Sequence, residues 1–166
     1  MRRAVVADIQ VIAVIHLAAE IAAAVGTSRE DVVKAPAQNT KIEAWTKTFN
    51  NPTISIFVET EAEEIKGFAA VGDFRSENTS ETGIAEIHTI FVDPKYFRQG
   101  VATRLFAHCR QAPPLNWAKS IRLWVYQDNT MARRFYEKMR FQLTTVFKDI
   151  KNDGVISRAV LYELTI

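Results

Sequence analysis

At Asn50-Asn51-Pro52 the spacing of apolar residues changes, and that change limits the folds open to this chain. Before it, Ile9, Ile12, Val14, Ile15, Leu17 and Ile21 recur near the period of an amphipathic helix, and Trp45 and Phe49 share one face of a second helical stretch, Ile42 to Phe49. After it, Thr53 to Glu59 and Lys66 to Phe74 read as β-rich runs separated by an acidic turn, Glu61 to Glu64. Helices followed by paired strands exclude an all-α bundle and a strict β-α alternation.

The rest of the chain extends the pattern. Arg3 to Ala7 reads as a short opening strand, Asp8 as the N-cap of the first helix and Gly26 as its end. Residues 27–41, with Ser28 as a second cap and Pro36 as a breaker, read as a loop with room for one short helix. Arg75 to Gly83 is a polar loop, Ala85 to Val92 a strand stopped by Asp93-Pro94, and Val101 to Gln111 a helix ended by Pro113 and Pro114. A strand at Ser120 to Tyr126 and a helix at Thr130 to Lys138 lead to two last strands, Phe141 to Lys148 and Val155 to Leu164, joined at Asn152-Asp153-Gly154. The predicted order is β-α-α-β-β-β-α-β-α-β-β, an α/β fold with a mixed sheet in one domain over residues 1–166. Neither GxGxxG nor GxxxxGK followed by Ser or Thr occurs.

Composition excludes several function classes. Twenty-one Lys and Arg against 19 Asp and Glu leave a net charge of +2, too balanced for a nucleic-acid binder without a local patch. A single cysteine, Cys109, forms no internal disulfide, and three scattered histidines have no zinc-ligand spacing, so no metal and a reducing cytoplasm are expected. The apolar stretch up to Val25 follows Arg2 and Arg3 as a secretion signal would, but Asp8, Gln10, His16 and Glu20 interrupt it. The expectation is neither a signal nor a membrane partner.

The stretch EIHTIFVDPKYFRQGVATR, Glu86 to Arg104, places a glycine-containing loop between a strand and a helix. A helix N-terminus offers unsatisfied N–H groups and the positive end of its dipole, and Gly100 with Ala102 lets a phosphate approach the main chain. About thirty residues later Gln127-Asp128-Asn129 opens the helix TMARRFYEKM, followed by Arg140-Phe141.

Together these two units resemble the GNAT superfamily of acetyl-CoA-dependent N-acetyltransferases. Its cofactor loop reads Gln/Arg-x-x-Gly-x-Gly/Ala, and its later segment Asn-x-x-Ala-x-x-Phe-Tyr-x-x-x-Gly-Phe. Gly100 and Ala102 match the first, with Phe97 at the opening position and Arg98 next to it. Asn129, Ala132, Phe135, Tyr136 and Phe141 match the second, with Arg140 where glycine is usual. A non-glycine residue there argues against a left-handed helix end.

The resemblance implies a GNAT-like fold and transfer of the acetyl group of acetyl-CoA to a primary amine by direct attack on the thioester, with coenzyme A as product. The main chain of Ile90 and Val92 would bind the pantetheine arm, an N–H near Ile90 or Phe91 would donate to the thioester oxygen, and N–H groups of Gln99, Gly100, Val101, Ala102 and Thr103 would hold the pyrophosphate. Asn129 and Ala132 fall on the cofactor side. Tyr136 is the candidate general acid, its alternative reading being a core aromatic beside Phe135. Glu86 is the candidate base, directly or through water, with His88 second; alternation puts both on one side of their strand, where Glu86 equally suits a salt bridge. Deprotonating a lysine-like amine of pKa ~10.4 at pH 7 costs about 4–5 kcal/mol, against about 1.4 for an α-amine near ~8, so a weakly basic acceptor needs little help.

Arg98, Arg104, Arg133, Arg134 and Lys138 could form a basic patch around the cofactor phosphates or simply a solvated face. Cys109, His16 and His108 read as structural. The acceptor, a small-molecule or peptide amine, is expected among the first helix and its following loop, Trp45, Phe49, Phe74, Arg75 and Tyr126. A non-catalytic acyl-CoA-binding module of the same fold is the alternative, and a homodimer stays open.

Overall fold

The computed structural model describes residues 1–34, 38–75, 82–152 and 154–166. Pro36, most of the polar loop after Arg75 and Asp153 of the final turn lie outside the described residues. Seven strands form one sheet: β1 (Arg2–Arg3), β2 (Ile54–Glu61), β3 (Glu64–Asp73), β4 (Ile84–Val92), β5 (Ser120–Tyr126), β6 (Gln142–Asn152) and β7 (Val155–Thr165). They lie side by side in the order β1-β2-β3-β4-β5-β7-β6. Neighbours pair antiparallel except β4 with β5, which run parallel as the crossover between them demands.

Helices cover both faces. On one side α1 (Ile9–Ala24) and α3 (Gln38–Phe49) set Ile9, Ile12, Ala13, Ile15 and Trp45 against Ile56, Val58, Phe68 and Ala70. On the other, α4 (Val101–Cys109) buries Val101, Leu105, Phe106 and Cys109 against Phe57, Ala69, Val71, Ala85 and Ile87, and α5 (Thr130–Lys138) adds Tyr136. Strand β3 is therefore apolar on both faces, Ala69 and Val71 serving one core and Phe68 and Ala70 the other.

The helical first third holds three helices where the predicted order counted two: α2 (Glu30–Lys34) is the short helix for which residues 27–41 had room, and α3 starts at Gln38, ahead of Ile42. Both changes involve polar turns without apolar periodicity. The opening strand is two residues long, and the chain enters α1 through a 3-10 turn, Val6–Asp8. Asp8 is consequently already helical and makes no side-chain cap bond; its carboxylate accepts the Val5 N–H at 2.8 Å and binds Arg2 at 2.7 and 2.9 Å. The polar residues of the first helix do not bring Val6–Ala24 below the apolarity of a spanning segment, for its mean hydropathy over 19 residues is 1.8. In the fold, one side of that stretch packs on the sheet while Val11 and Val14 remain exposed.

Two local departures from regular geometry place the site. Ala70 pairs with Thr89 but Val71 pairs with Ile87, so His88 is an extra residue bulging from β4. The bulge inverts the alternation: Ala85 and Ile87 before it and Ile90 and Val92 after it all reach the α4-side core. Meanwhile β4 and β5 pair only over Ile84–Glu86 and Ser120–Arg122, whereas β5 stays paired with β7 along its whole length. Past Glu86 the two parallel strands separate, and the sheet opens into a cleft.

Candidate active site

Two cavities occupy the cleft and meet at Ile90, Phe91, Asn129, Ala132 and Tyr136. The smaller, about 280 Å3, runs along the outer half of β4 to the start of α4. It is lined by Ile90, Phe91, Val92, Arg98, Gly100, Val101, Ala102, Thr103, Asn129 and Ala132, the residues expected on the cofactor side. Gln99 stands apart. The chain turns back before α4, so its N–H points to the Tyr96 carbonyl at 3.4 Å and its side-chain amide donates to the Lys95 carbonyl at 3.1 Å.

At the head of α4 Gly100 is the N-cap, with φ +78° and ψ 4°. Among the described residues no acceptor takes the N–H groups of Gly100, Val101, Ala102 or Thr103. Four consecutive open amides at the positive end of a helix, lining a cavity, suit the diphosphate of a coenzyme A nucleotide, so the residues present fit that group. Phe97 packs its ring against the α4-side core, and its lack of a polar group leaves the amides unobstructed. Arg98 lines the cavity and has no ion-pair partner among the described residues. Arg104 is drawn away, its Nε and Nη2 lying 2.8 and 2.5 Å from Glu59, and Arg133 binds the Tyr162 hydroxyl and the Gln127 carbonyl, each at 3.0 Å.

Tyr136 sits where the cavities join, 7% exposed, its ring 5.2 Å from Phe135 and 5.7 Å from Phe141. Burial raises its hydroxyl pKa well above the usual value, which keeps the proton in place at neutral pH. The helix carrying it is fixed at both ends. Asn129 caps it by accepting the Ala132 N–H at 3.1 Å, so the asparagine of the motif shapes the helix as well as lining the cleft. At the other end Arg140 takes the left-handed conformation, φ +70°, and the Phe141 N–H reaches the Tyr136 carbonyl at 3.0 Å. The helix end that an arginine was expected to prevent does form, because the anchored Phe141 outweighs the strain of a side chain there.

Glu86 is 1% exposed. Its carboxylate accepts Arg75 Nη2 at 2.6 Å, Arg75 Nε at 3.2 Å and the Arg75 backbone N–H at 3.0 Å, and His88 Nδ1 lies 3.3 Å away. Burial pushes its pKa up, but His88 and Arg75 outweigh burial and hold it at about 2. The Glu86 side of the strand thus carries both the pair with His88 and the salt bridge that a strand carboxylate also suits. Among the described residues neither His88 nitrogen makes a hydrogen bond in good geometry, and Nε2 lies over Gly72, where an added Cβ would come within 2.8 Å of it.

The larger cavity, about 370 Å3, extends from the junction toward α1 and α3. Trp45, Arg75 and Tyr126 line it as expected, with His88 in its wall; Phe49 packs into the α1-side core and Phe74 lies under the Arg122 guanidinium instead. The first helix and its following loop contribute to the wall as expected, through His16, Glu20 and Arg29, none of which the sequence singled out for the site. His16 accepts the Trp45 indole N–H at 3.0 Å, stacks on Phe91 at 4.4 Å, and lies 3.0 Å from Glu20, which also binds Lys41 at 2.5 Å. Burial raises the Glu20 pKa, yet His16 and Lys41 bring it to about 2. Arg29 grips Asp128 at 2.8 to 3.2 Å and lies over the Tyr126 ring at 4.2 Å. Two polar residues four apart in an apolar helix, His16 and Glu20, were a legible sign of a functional face. Arg29 had no local sign, since its partner is 99 residues away. Cys109 is fully buried on the far side of the sheet, and burial alone pushes its thiol up to about 12.

The chain belongs to the acetyltransferase (GNAT) family, whose sequence pattern matches residues 20–141. An uncharacterized N-acetyltransferase of Methanocaldococcus jannaschii is 32% identical over 82 residues, a match covering 49% of this chain and 36% of that relative's length. Two solved structures share the fold. The paia N-acetyltransferase of Thermoplasma acidophilum, in complex with coenzyme A, superposes with a TM-score of 0.70 at 15% identity over 99% of this chain and 97% of its own. The yncA protein of Salmonella typhimurium, with its cofactor acetyl-CoA, gives 0.71 at 17% identity over 99% and 91%.

Proposed function

We propose that this protein is an N-acetyltransferase that binds acetyl-CoA in the smaller cavity, an amine in the larger one, and joins them at Tyr136. The observation that carries the reading is the open amide run at Gly100–Thr103, continuous with a cavity that ends on a buried, protonated tyrosine. Bound acetyl-CoA would supply an activated thioester. The amides of residues 100–103 hold the diphosphate, and Arg98 adds charge beside it. Beyond Glu86 the β5-facing edge of β4 has no strand partner, so main-chain groups around Ile90–Val92 are free to pair with the pantetheine arm and to donate to the thioester oxygen.

Tyr136 gives its proton to the departing sulfur, and the hydrophobic wall of Phe135 and Phe141 excludes competing water. The proton lost by the amine passes through cavity water toward the Glu86–His88 pair. His88 lines the cavity and Glu86 does not, so the imidazole is the accepting group, and the carboxylate 3.3 Å from it steadies the cation that forms. A cytoplasmic setting belongs to this proposal, supported by the lone buried thiol of Cys109. Thiol release from acetyl-CoA across a panel of amines tests the reading: turnover that falls in Tyr136→Phe without loss of coenzyme A binding supports it. Calorimetric binding of acetyl-CoA with no thiol release from any amine would make the protein a binding module instead.

A further inference from the structure

The lining of the larger cavity is richer in basic than in acidic side chains. Its walls carry two guanidinium groups, Arg29 and Arg75, and one carboxylate, Glu20. Glu20 is already paired with the Lys41 ammonium at 2.5 Å, and His16 Nε2 lies 3.0 Å from its other oxygen. The carboxylates that partner the two arginines, Asp128 and Glu86, are not part of the lining. Among the described residues, an acceptor entering this space therefore meets guanidinium groups and no unpaired carboxylate.

The two arginines differ in how they are held. The Arg75 side chain is 66% exposed at the mouth of the cavity, where water screens it. Arg29 is 6% exposed, clamped through Nε and Nη2 by Asp128 and backed by the Tyr126 ring. Its Nη1 has no hydrogen-bond partner among the described residues. A guanidinium fixed in this way keeps two N–H donors for another oxyanion with little further loss of freedom.

We infer that the acceptor is a small amine that also carries a carboxylate, an α-amino acid or a short relative, with its carboxylate on Arg29 and its amine toward Tyr136. This inference rests on the acetyl-transfer reading of the cleft. A cavity of about 370 Å3 lies at the low end of small-molecule sites, and Trp45, Trp124 and Tyr126 in its lining offer aromatic surface to the body of such a molecule. A diamine, by contrast, would bring a second ammonium beside Arg29 and Arg75 with only the occupied Glu20 to receive it.

The test is calorimetry on the full chain loaded with coenzyme A, using each proteinogenic α-amino acid, its primary amide, and 1,4-diaminobutane as probes. At least one acid should bind about tenfold or more tightly than its own amide, the ratio expected of a hydrogen-bonded ion pair. Because Arg29→Gln strands Asp128, the informative variant is Arg29→Gln with Asp128→Asn, which should abolish the acid-over-amide preference; Arg29→Lys should restore part of it. Equal or tighter binding of amides or the diamine overturns the inference, as do equal losses of acid and amide in the double variant. So does the absence of binding by any amino acid at ~10 mM. The two readings fail separately. An acid preference without thiol release leaves the carboxylate site standing and removes acetyl transfer, whereas thiol release driven by diamines keeps the transfer and removes the carboxylate.

Discussion

Gly100 and Arg140 occupy the same left-handed region, φ +78° and +70°, one at the head of α4 and the other at the end of α5. Exchanging the residue type at each should move stability in opposite directions. A side chain in this conformation costs about 1–2 kcal/mol, and glycine gives back about 0.5–1 kcal/mol of that advantage through its greater freedom when unfolded. Arg140→Gly should therefore stabilise the fold by about 0.5–1 kcal/mol, raising Tm by about 1–4 °C for a chain of this size. Gly100→Ala should destabilise by a similar amount or somewhat more. Its Cβ would lie 3.0 Å from Arg104 Nη1, which donates to the Gln99 carbonyl, and that half-exposed guanidinium can give way. The functional signature is separate from the stability change. The new methyl tilts the open amides, so coenzyme A affinity should fall about tenfold while that of pantetheine, which lacks the diphosphate, stays within about twofold. Urea denaturation and calorimetry with both ligands read the two effects. Should Gly100→Ala weaken coenzyme A and pantetheine equally, or Arg140→Gly lower the denaturation midpoint, the reasoning from left-handed geometry fails.

Tyr136→Phe should lower kcat by about 10²-fold and leave coenzyme A affinity within about twofold, as calorimetry and thiol release will show. Gly72→Ala would place its Cβ 2.6 Å from the Thr53 carbonyl and 2.8 Å from His88 Nε2, so the strand ladder or the imidazole must shift; a loss of about 1–3 kcal/mol of stability with a changed pH-rate profile is expected. Glu86 and Glu20 each have a folded pKa of about 2 against an ordinary 4.5, so they bind fewer protons when folded than when unfolded. The stability they contribute is complete above the ordinary value and is lost as pH falls toward about 2. Urea midpoints should drop steeply across that window, and less steeply in a double variant Arg75→Gln with Glu86→Gln; an unchanged slope would contradict the assigned pairing.

Much of the scaffold was legible because burial imposes a period on the sequence. Helix α5 at Thr130–Lys138 and strand β5 at Ser120–Tyr126 have the limits their patterns predicted. The inverted alternation around His88 was also present in the apolar residues Ala85, Ile87, Ile90 and Val92, although a plain two-residue period passes over it. The expected acidic turn is shorter than its charges suggest. Strands β2 and β3 run to Glu61 and Glu64, and only Ala62 and Glu63, both at positive φ, make the turn. Asp8 fits a cap pattern but serves Arg2 and the Val5 N–H, since a cap needs an extended backbone and Asp8 is itself helical, inside the preceding 3-10 turn.

The sequence by itself determined which residues face a core, which loop leaves its amides open, and which tyrosine the second motif carries. Only the tertiary structure decided that β4 and β5 part after Glu86, that Glu86 lies between Arg75 and His88, and that Arg29 reaches Asp128 to close the larger cavity. The physical reason is range. Periodicity and turn chemistry record interactions within a few residues, whereas the partner of a charge 99 residues distant is fixed by strand order and register, which the whole core sets at once.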